Sequence, residues 1–181
     1  MAMIPSDTPR LASTDILDIV SWKQRVDAHL LAAGLDGRIS PAAAIVDSAV
    51  IDVATNGETA LWPKTVDDAY AFLCKEFRPT DGASIVAILR SIKLTSSFSS
   101  SRSVLATDVA AFNTRFRRVS DALAISAKAS SSFYLDALPT SLARDVRAEC
   151  RLDESVLSGI FQFDRKFTYF FYNVLPKMMD Q

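Results

Sequence analysis

The stretch VLATDVAAFNTRFRRVSDAL, residues 104–123, decides how the rest of the chain is read. Its apolar residues Leu105, Val109, Phe112, Phe116, Val119 and Leu123 recur at intervals of 4, 3, 4, 3 and 4, which puts all six on one stripe of an α-helix. A half-buried strand would alternate with period two, and this stretch does not. The spacing therefore predicts a long amphipathic helix with an aromatic face buried against a neighbour.

Immediately upstream lies TSSFSSSRSV, residues 95–104, in which six of the eight positions from Ser96 to Ser103 are serine. Such a run buries too little apolar area to offset its ordering entropy, so it is expected to act as a hinge. As a hinge it would divide the chain into an N-terminal helical lobe over residues 1–97, a linker over 98–104 and a C-terminal helical lobe over 105–181; the alternative is a solvated loop inside a single bundle.

Helical patterns fill both sides of this seam. Ser21 and Gln24 have capping-box spacing, followed by Trp22, Val26, Leu30 and Ala33 up to Gly34, with TDILDIV either a separate turn or an earlier start of the same helix. A second helix is expected from Pro41 to the breaker Asn56-Gly57. A third is capped by Thr65 with Asp68 and ends at Pro79, and a fourth begins near Asp81. Beyond the long helix, AKASSS reads as a polar connection and FYLDALP as a short apolar turn. TSLARDVRAEC then carries Leu142, Val146 and Cys150 four apart. A last helix starts at the N-cap Asp153 and runs through Val156, Ile160, Phe163, Phe167, Phe170 and Val174. No segment alternates as a strand does, so the fold class is all-α.

Composition restricts the chemistry. The 181 residues are 49% apolar and carry a formal net charge of −1, with 9 Lys/Arg against 12 Asp/Glu in residues 1–98 and 11 against 9 in the remainder. The basic excess of the second half is too small to name nucleic acid as a partner. Cys74 and Cys150 stand far apart in apolar patterns and read as reduced core thiols. His29 is the single histidine, on a helix with apolar neighbours, and reads as structural; without a second His or paired Cys, no zinc site is expected. No Walker loop, G-x-G-x-x-G or G-x-S-x-G occurs, and the carboxylate pairs Asp67-Asp68 and Asp153-Glu154 sit at helix starts, where the macrodipole accounts for them. The expectation is a protein that is not an enzyme and has no catalytic residues, cofactor or metal. Neither a signal-peptide layout nor an apolar run of about 20 residues is present, so a soluble, cytoplasmic chain without a membrane partner is expected.

Two groups of side chains stand out as contact candidates. Arg115, Arg117, Arg118 and Lys128 form the densest positive cluster, with Arg117, Arg118 and Lys128 as possible RNA contacts, although consecutive helical positions point in different directions and a solvated polar face is the plainer reading. The segment FQFDRKFTYFFYNVL holds more aromatics than one small core accommodates. Phe161, Tyr169, Phe171 and Tyr172, together with Trp22, are therefore candidates for an oligomer interface.

The order of these signals resembles the Gag capsid region of LTR retrotransposons, a relative of retroviral capsid proteins. The resemblance runs over TVDDAYAFLCKEFRP, LRSIKL, VAAFNTRFRRVSDAL and FYLDALPTSL, with SWKQRVDAHLLAAGL upstream similar to the family's first Trp-bearing helix. It covers Trp62 to about Arg147. The resemblance implies two helical lobes joined at the serine seam, with Phe112, Arg115, Phe116 and Val119 matching the aromatic-x-x-Arg-Phe core of a major-homology-like segment and Arg115 expected to be buried or half-buried. The Gln-Gly and Glu that retroviral members place ahead of that aromatic are replaced by Ser and Thr. Ala137 replaces a Gly, which leaves gypsy-like and copia-like branches open, and no zinc-knuckle pattern follows. The function implied is self-assembly, through hexamer, pentamer or dimer contacts, into a particle enclosing element RNA. The alternatives are a Gag-derived dimerisation or peptide-binding module and an RNA-binding nucleocapsid-like protein.

Overall fold

The computed structural model describes residues 4–95, 102–140 and 143–144. Among these residues the protein is helical, and its sole β pairing is an isolated parallel bridge between Leu11 and Val46. The chain divides into two compact units, Met1–Gly82 and Ala83–Gln181.

The first unit is organised around α1, Ile16–Ala32, which buries Ile16, Ile19, Val20, Trp22, Val26 and Leu30 along one face. Its N-cap is Asp15, whose carboxylate accepts from the backbone N–H groups of Leu17 at 2.7 Å and Asp18 at 3.4 Å. The helix therefore starts ahead of Ser21, which lies inside it, and TDILDIV belongs to the same element. At the other end Gly34 turns the chain at φ 70°, with its N–H bonded to the Leu31 carbonyl and that of Leu35 to the Leu30 carbonyl. Trp22 has no solvent exposure, and its indole N–H donates to the Pro9 carbonyl at 3.0 Å. Trp22 is thus removed from the interface candidates: its polar edge and its apolar body are both satisfied inside the unit.

The helix expected from Pro41 is interrupted. A 3-10 turn covers Ala42–Ile45, and α2 begins only at Ser48 and runs to Thr55. Between them Val46 and Asp47 are extended, because Leu11 donates its N–H to the Ile45 carbonyl and accepts that of Asp47. A second 3-10 turn, Thr59–Leu61, leads to α3, Val66–Phe77. As expected, Thr65 caps α3 by accepting from the Asp68 N–H at 3.2 Å, and the chain leaves the helix at Arg78, before Pro79. Helix α3 packs on α1 and α2, burying Val66, Ala69, Leu73 and Cys74.

The second unit contains α4, Gly82–Ser91, α5, Arg102–Ala122, and α6, Ala127–Ala137. Helix α5 matches the stripe over residues 104–123. Helix α6 corrects the reading of AKASSS as a connection and FYLDALP as a turn. AKASSS and the FYLDA of the second motif belong to one helix, which ends before Leu138-Pro139; it is started by Ser126, whose hydroxyl accepts from the Ala129 N–H, and Ser130 is buried rather than solvated. The division at Gly82–Ala83 also falls earlier than the serine seam: α4 and the segment after it belong with α5 and α6, since the Leu94 N–H bonds to the Ala137 carbonyl at 2.9 Å. Residues 96–101 of the seam, and the expected helices beyond Arg144, lie outside the described residues. No helix among the described residues is long and apolar enough to cross a membrane.

Trp22→Phe keeps most of the ring but removes the donor to Pro9 and leaves a small void. The expected cost is about 2 kcal/mol, read as a lowered urea midpoint with an unchanged slope.

Candidate functional site

The side chains singled out by the resemblance are brought together in the second unit. Phe112 and Phe116 are one helical turn apart on α5, with ring centroids separated by 5.9 Å. Both meet Tyr134 of α6, at 5.4 Å from Phe112 and at 5.3 Å, edge to face, from Phe116. Val109, Val119 and Leu123 extend the buried stripe above and below this cluster, while Leu135 and Leu138 are buried on α6. Such aromatic contacts contribute beyond the area they remove from water.

The cluster contains one polar link. The Tyr134 hydroxyl donates to the Asn113 side-chain carbonyl at 2.6 Å, and burial pushes the Tyr134 pKa well above that of a free phenol. A neutral, hydrogen-bonded phenol on an apolar face does not exchange protons near neutral pH; it fixes the register of α6 against α5. A second polar link lies at the far end of α6. There the Lys93 ammonium donates to the Asp136 carbonyl at 2.7 Å, beside the Leu94 to Ala137 backbone bond.

The arginines sort differently from the expectation. Arg115 is exposed, so the buried or half-buried guanidinium expected there is corrected. Arg117 and Arg118 are half-buried, and Arg117 lies close enough to Asp121, one turn on, to oppose the upward shift that burial gives the Asp121 carboxyl. Lys128 is on α6; its side chain, like Phe161, Tyr169, Phe171 and Tyr172, lies outside the described part of the chain. Tyr134 and Asn113 were not singled out by pattern alone, although Tyr134 stands inside the quoted FYLDALP motif.

In the first unit one charged cluster lies at the edge of the core, with its lysine buried and its carboxylates reaching toward solvent. Lys23 is almost fully buried on α1, and its ammonium pairs with Asp27 one turn on and with Asp67 of α3 at 2.9 Å, 5.6 Å from the centre of the Tyr70 ring. The Asp67 N–H is anchored on the Gly37 carbonyl, and a Cβ on Gly37 would collide with the Asp67 carboxylate. Two carboxylates around one ammonium form a structural tie between α1 and α3, with glycine as the residue that leaves room for it. His29 pairs with Asp7 at 3.3 Å, and Cys74 is a buried free thiol whose pKa burial raises. Among the described residues no three His, Cys, Asp or Glu side chains cluster as a metal ion would require.

No family model, curated protein or solved structure matches the chain.

Phe116→Ala is expected to cost about 3 to 5 kcal/mol and Tyr134→Phe about 1 kcal/mol, while Arg115→Ala stays within about 0.5 kcal/mol. Urea unfolding followed by circular dichroism ranks them. The pH dependence follows from the raised Tyr134 pKa. A phenol whose folded pKa lies above its unfolded value of about 10 contributes stability that is complete below that pH and is lost as pH rises through the folded pKa. Comparing wild type with Tyr134→Phe between neutral and strongly alkaline pH isolates this part: the wild type should lose more stability than the variant.

Proposed function

We propose that this chain is a retrotransposon Gag capsid region, a structural protein that self-assembles into a particle around element RNA in the cytoplasm. One observation carries the reading. Three of the motifs on which the resemblance rests converge in the second unit. LRSIKL ends on the carbonyls of Asp136 and Ala137, VAAFNTRFRRVSDAL supplies Phe112 and Phe116, and FYLDALP supplies Tyr134 against both rings. Motif residues that pack on one another belong to a rigid body. A shell subunit is such a body, making several distinct weak contacts with copies of itself. In this account Phe112, Phe116 and Val119 hold the second unit together, and the contacts between copies fall to exposed side chains and to the aromatic segment containing Phe161, Tyr169, Phe171 and Tyr172.

The exposure of Arg115 favours a second role for α5. Arg115 and Arg118 are three residues apart and therefore neighbours on the helix surface, where two guanidinium groups meet a phosphate backbone better than one.

Negative-stain microscopy of nuclease-treated protein over a range of salt and protein concentrations tests the assembly reading. Regular, RNA-independent rings or particles are expected. A chain that remains monomeric or dimeric throughout contradicts assembly and points to a Gag-derived dimerisation or peptide-binding module. RNA affinity that falls steeply with salt, without particles, points to a nucleocapsid-like role.

A further inference from the structure

The C-terminal end of α2 carries the pair Asn56-Gly57, both exposed. Asn56 is the cap residue in the left-handed region at φ 51°, ψ 36°, and Gly57 follows at φ 83°. The Asn56 N–H is shared between the Asp52 and Val53 carbonyls, the latter at 3.4 Å, and the Gly57 N–H closes the turn on the same Asp52 carbonyl at 2.9 Å. A Cβ built on Gly57 would meet nothing within 4 Å. The chain has two other asparagines, Asn113, followed by Thr114, and Asn173, followed by Val174. Asn113 is held inside α5 with its carbonyl oxygen occupied by Tyr134.

We propose that Asn56-Gly57 is a self-modification site, at which asparagine converts to aspartate and isoaspartate at a rate set by opening of the last turn of α2. The Gly57 backbone nitrogen, having lost its proton to solvent base, attacks Cγ of Asn56. A five-membered cyclic imide forms as the new C–N bond closes, the Cγ–Nδ2 bond breaks and ammonia leaves with a proton from water. Water then adds to either imide carbonyl and breaks one ring C–N bond. Opening at one carbonyl gives aspartate, and opening at the other gives isoaspartate, in which the main chain passes through Cβ. No oxidant or reductant takes part. Glycine favours the attack because it has no Cβ to crowd the nitrogen. In the closed cap that nitrogen is turned toward the Asp52 carbonyl, so reaction proceeds from the opened turn.

The product alters the site that limits its own formation. A carboxylate at position 56 meets the negative end of the α2 dipole, in a segment that already carries the exposed acids Asp52 and Glu58. Isoaspartate adds a backbone atom and breaks the cap geometry outright. Each conversion therefore weakens the end of α2 irreversibly, independently of whether the chain assembles.

The purified full chain is incubated in mildly alkaline buffer with and without urea, and peptides containing Asn56 and Asn113 are followed by mass spectrometry and isoaspartate-specific methylation. Opening of a helix end costs little, so Asn56 in the folded chain should convert about tenfold to a hundredfold more slowly than in urea, while folded Asn113 stays intact. Asn56→Gly, which keeps the left-handed cap, should abolish the conversion, and Asn56→Asp should melt below Asn56→Gly. The proposal is overturned if folded Asn56 remains unchanged when the urea sample has converted fully, if Asn56 and Asn113 convert equally in the folded chain, or if the two variants melt alike.

Discussion

Tyr134 packs against both Phe112 and Phe116, closing a triangle of rings, and the second unit depends on that placement. Rings on two helices that meet at 5.3 to 5.4 Å leave little freedom for either helix to slide or rotate. The hydroxyl of the same tyrosine reaches Asn113, so the contact has a direction as well as an area. Once α6 is set in this way, its last turn presents the Asp136 and Ala137 carbonyls to Lys93 and Leu94, and the segment leaving α4 is tied into the same unit. The first unit uses a different device, a buried indole and a buried ammonium, each satisfied by a specific partner.

The parts of this arrangement that were legible in the sequence are those in which one residue type has one physical use. The stripe of Val109, Phe112, Phe116, Val119 and Leu123 could serve only as a buried helical face, and all five are buried. Thr65 with Asp68 ahead of an apolar run is a helix start by local hydrogen bonding alone, and it caps α3. Where a residue type has two uses, the reading failed. Serine serves as linker, cap or small buried residue, so AKASSS reads as a polar connection although Ser126 caps α6 and Ser130 lies inside it. Ser21 with Gln24 has cap spacing but lies inside α1, which starts at Asp15 within the TDILDIV stretch. The interruption before α2 comes from a pairing between Leu11 and Val46, more than thirty positions apart, which no local window contains.

The candidate site shows the same division. Aromatic and arginine side chains are amphipathic in opposite senses, and neither spacing nor resemblance says which way an individual one turns. Trp22, an interface candidate by type, is fully buried, while Arg115, which the resemblance implies to be buried or half-buried, is exposed. The pair that ties α1 to α3, buried Lys23 with exposed Asp67, joins residues from separate helices and lies against Gly37, so no contiguous motif announces it. These reversals leave the packing residues of the second unit as the strongest support for the capsid reading.

The central claim is that the motif residues of α5 and α6 act by packing on one another. A double-mutant cycle between Phe116→Leu and Tyr134→Leu measures that contact separately from the burial of each ring. The account predicts a coupling free energy of about 0.5 to 1.5 kcal/mol between the two positions. Strict additivity, with a coupling indistinguishable from zero, would contradict it.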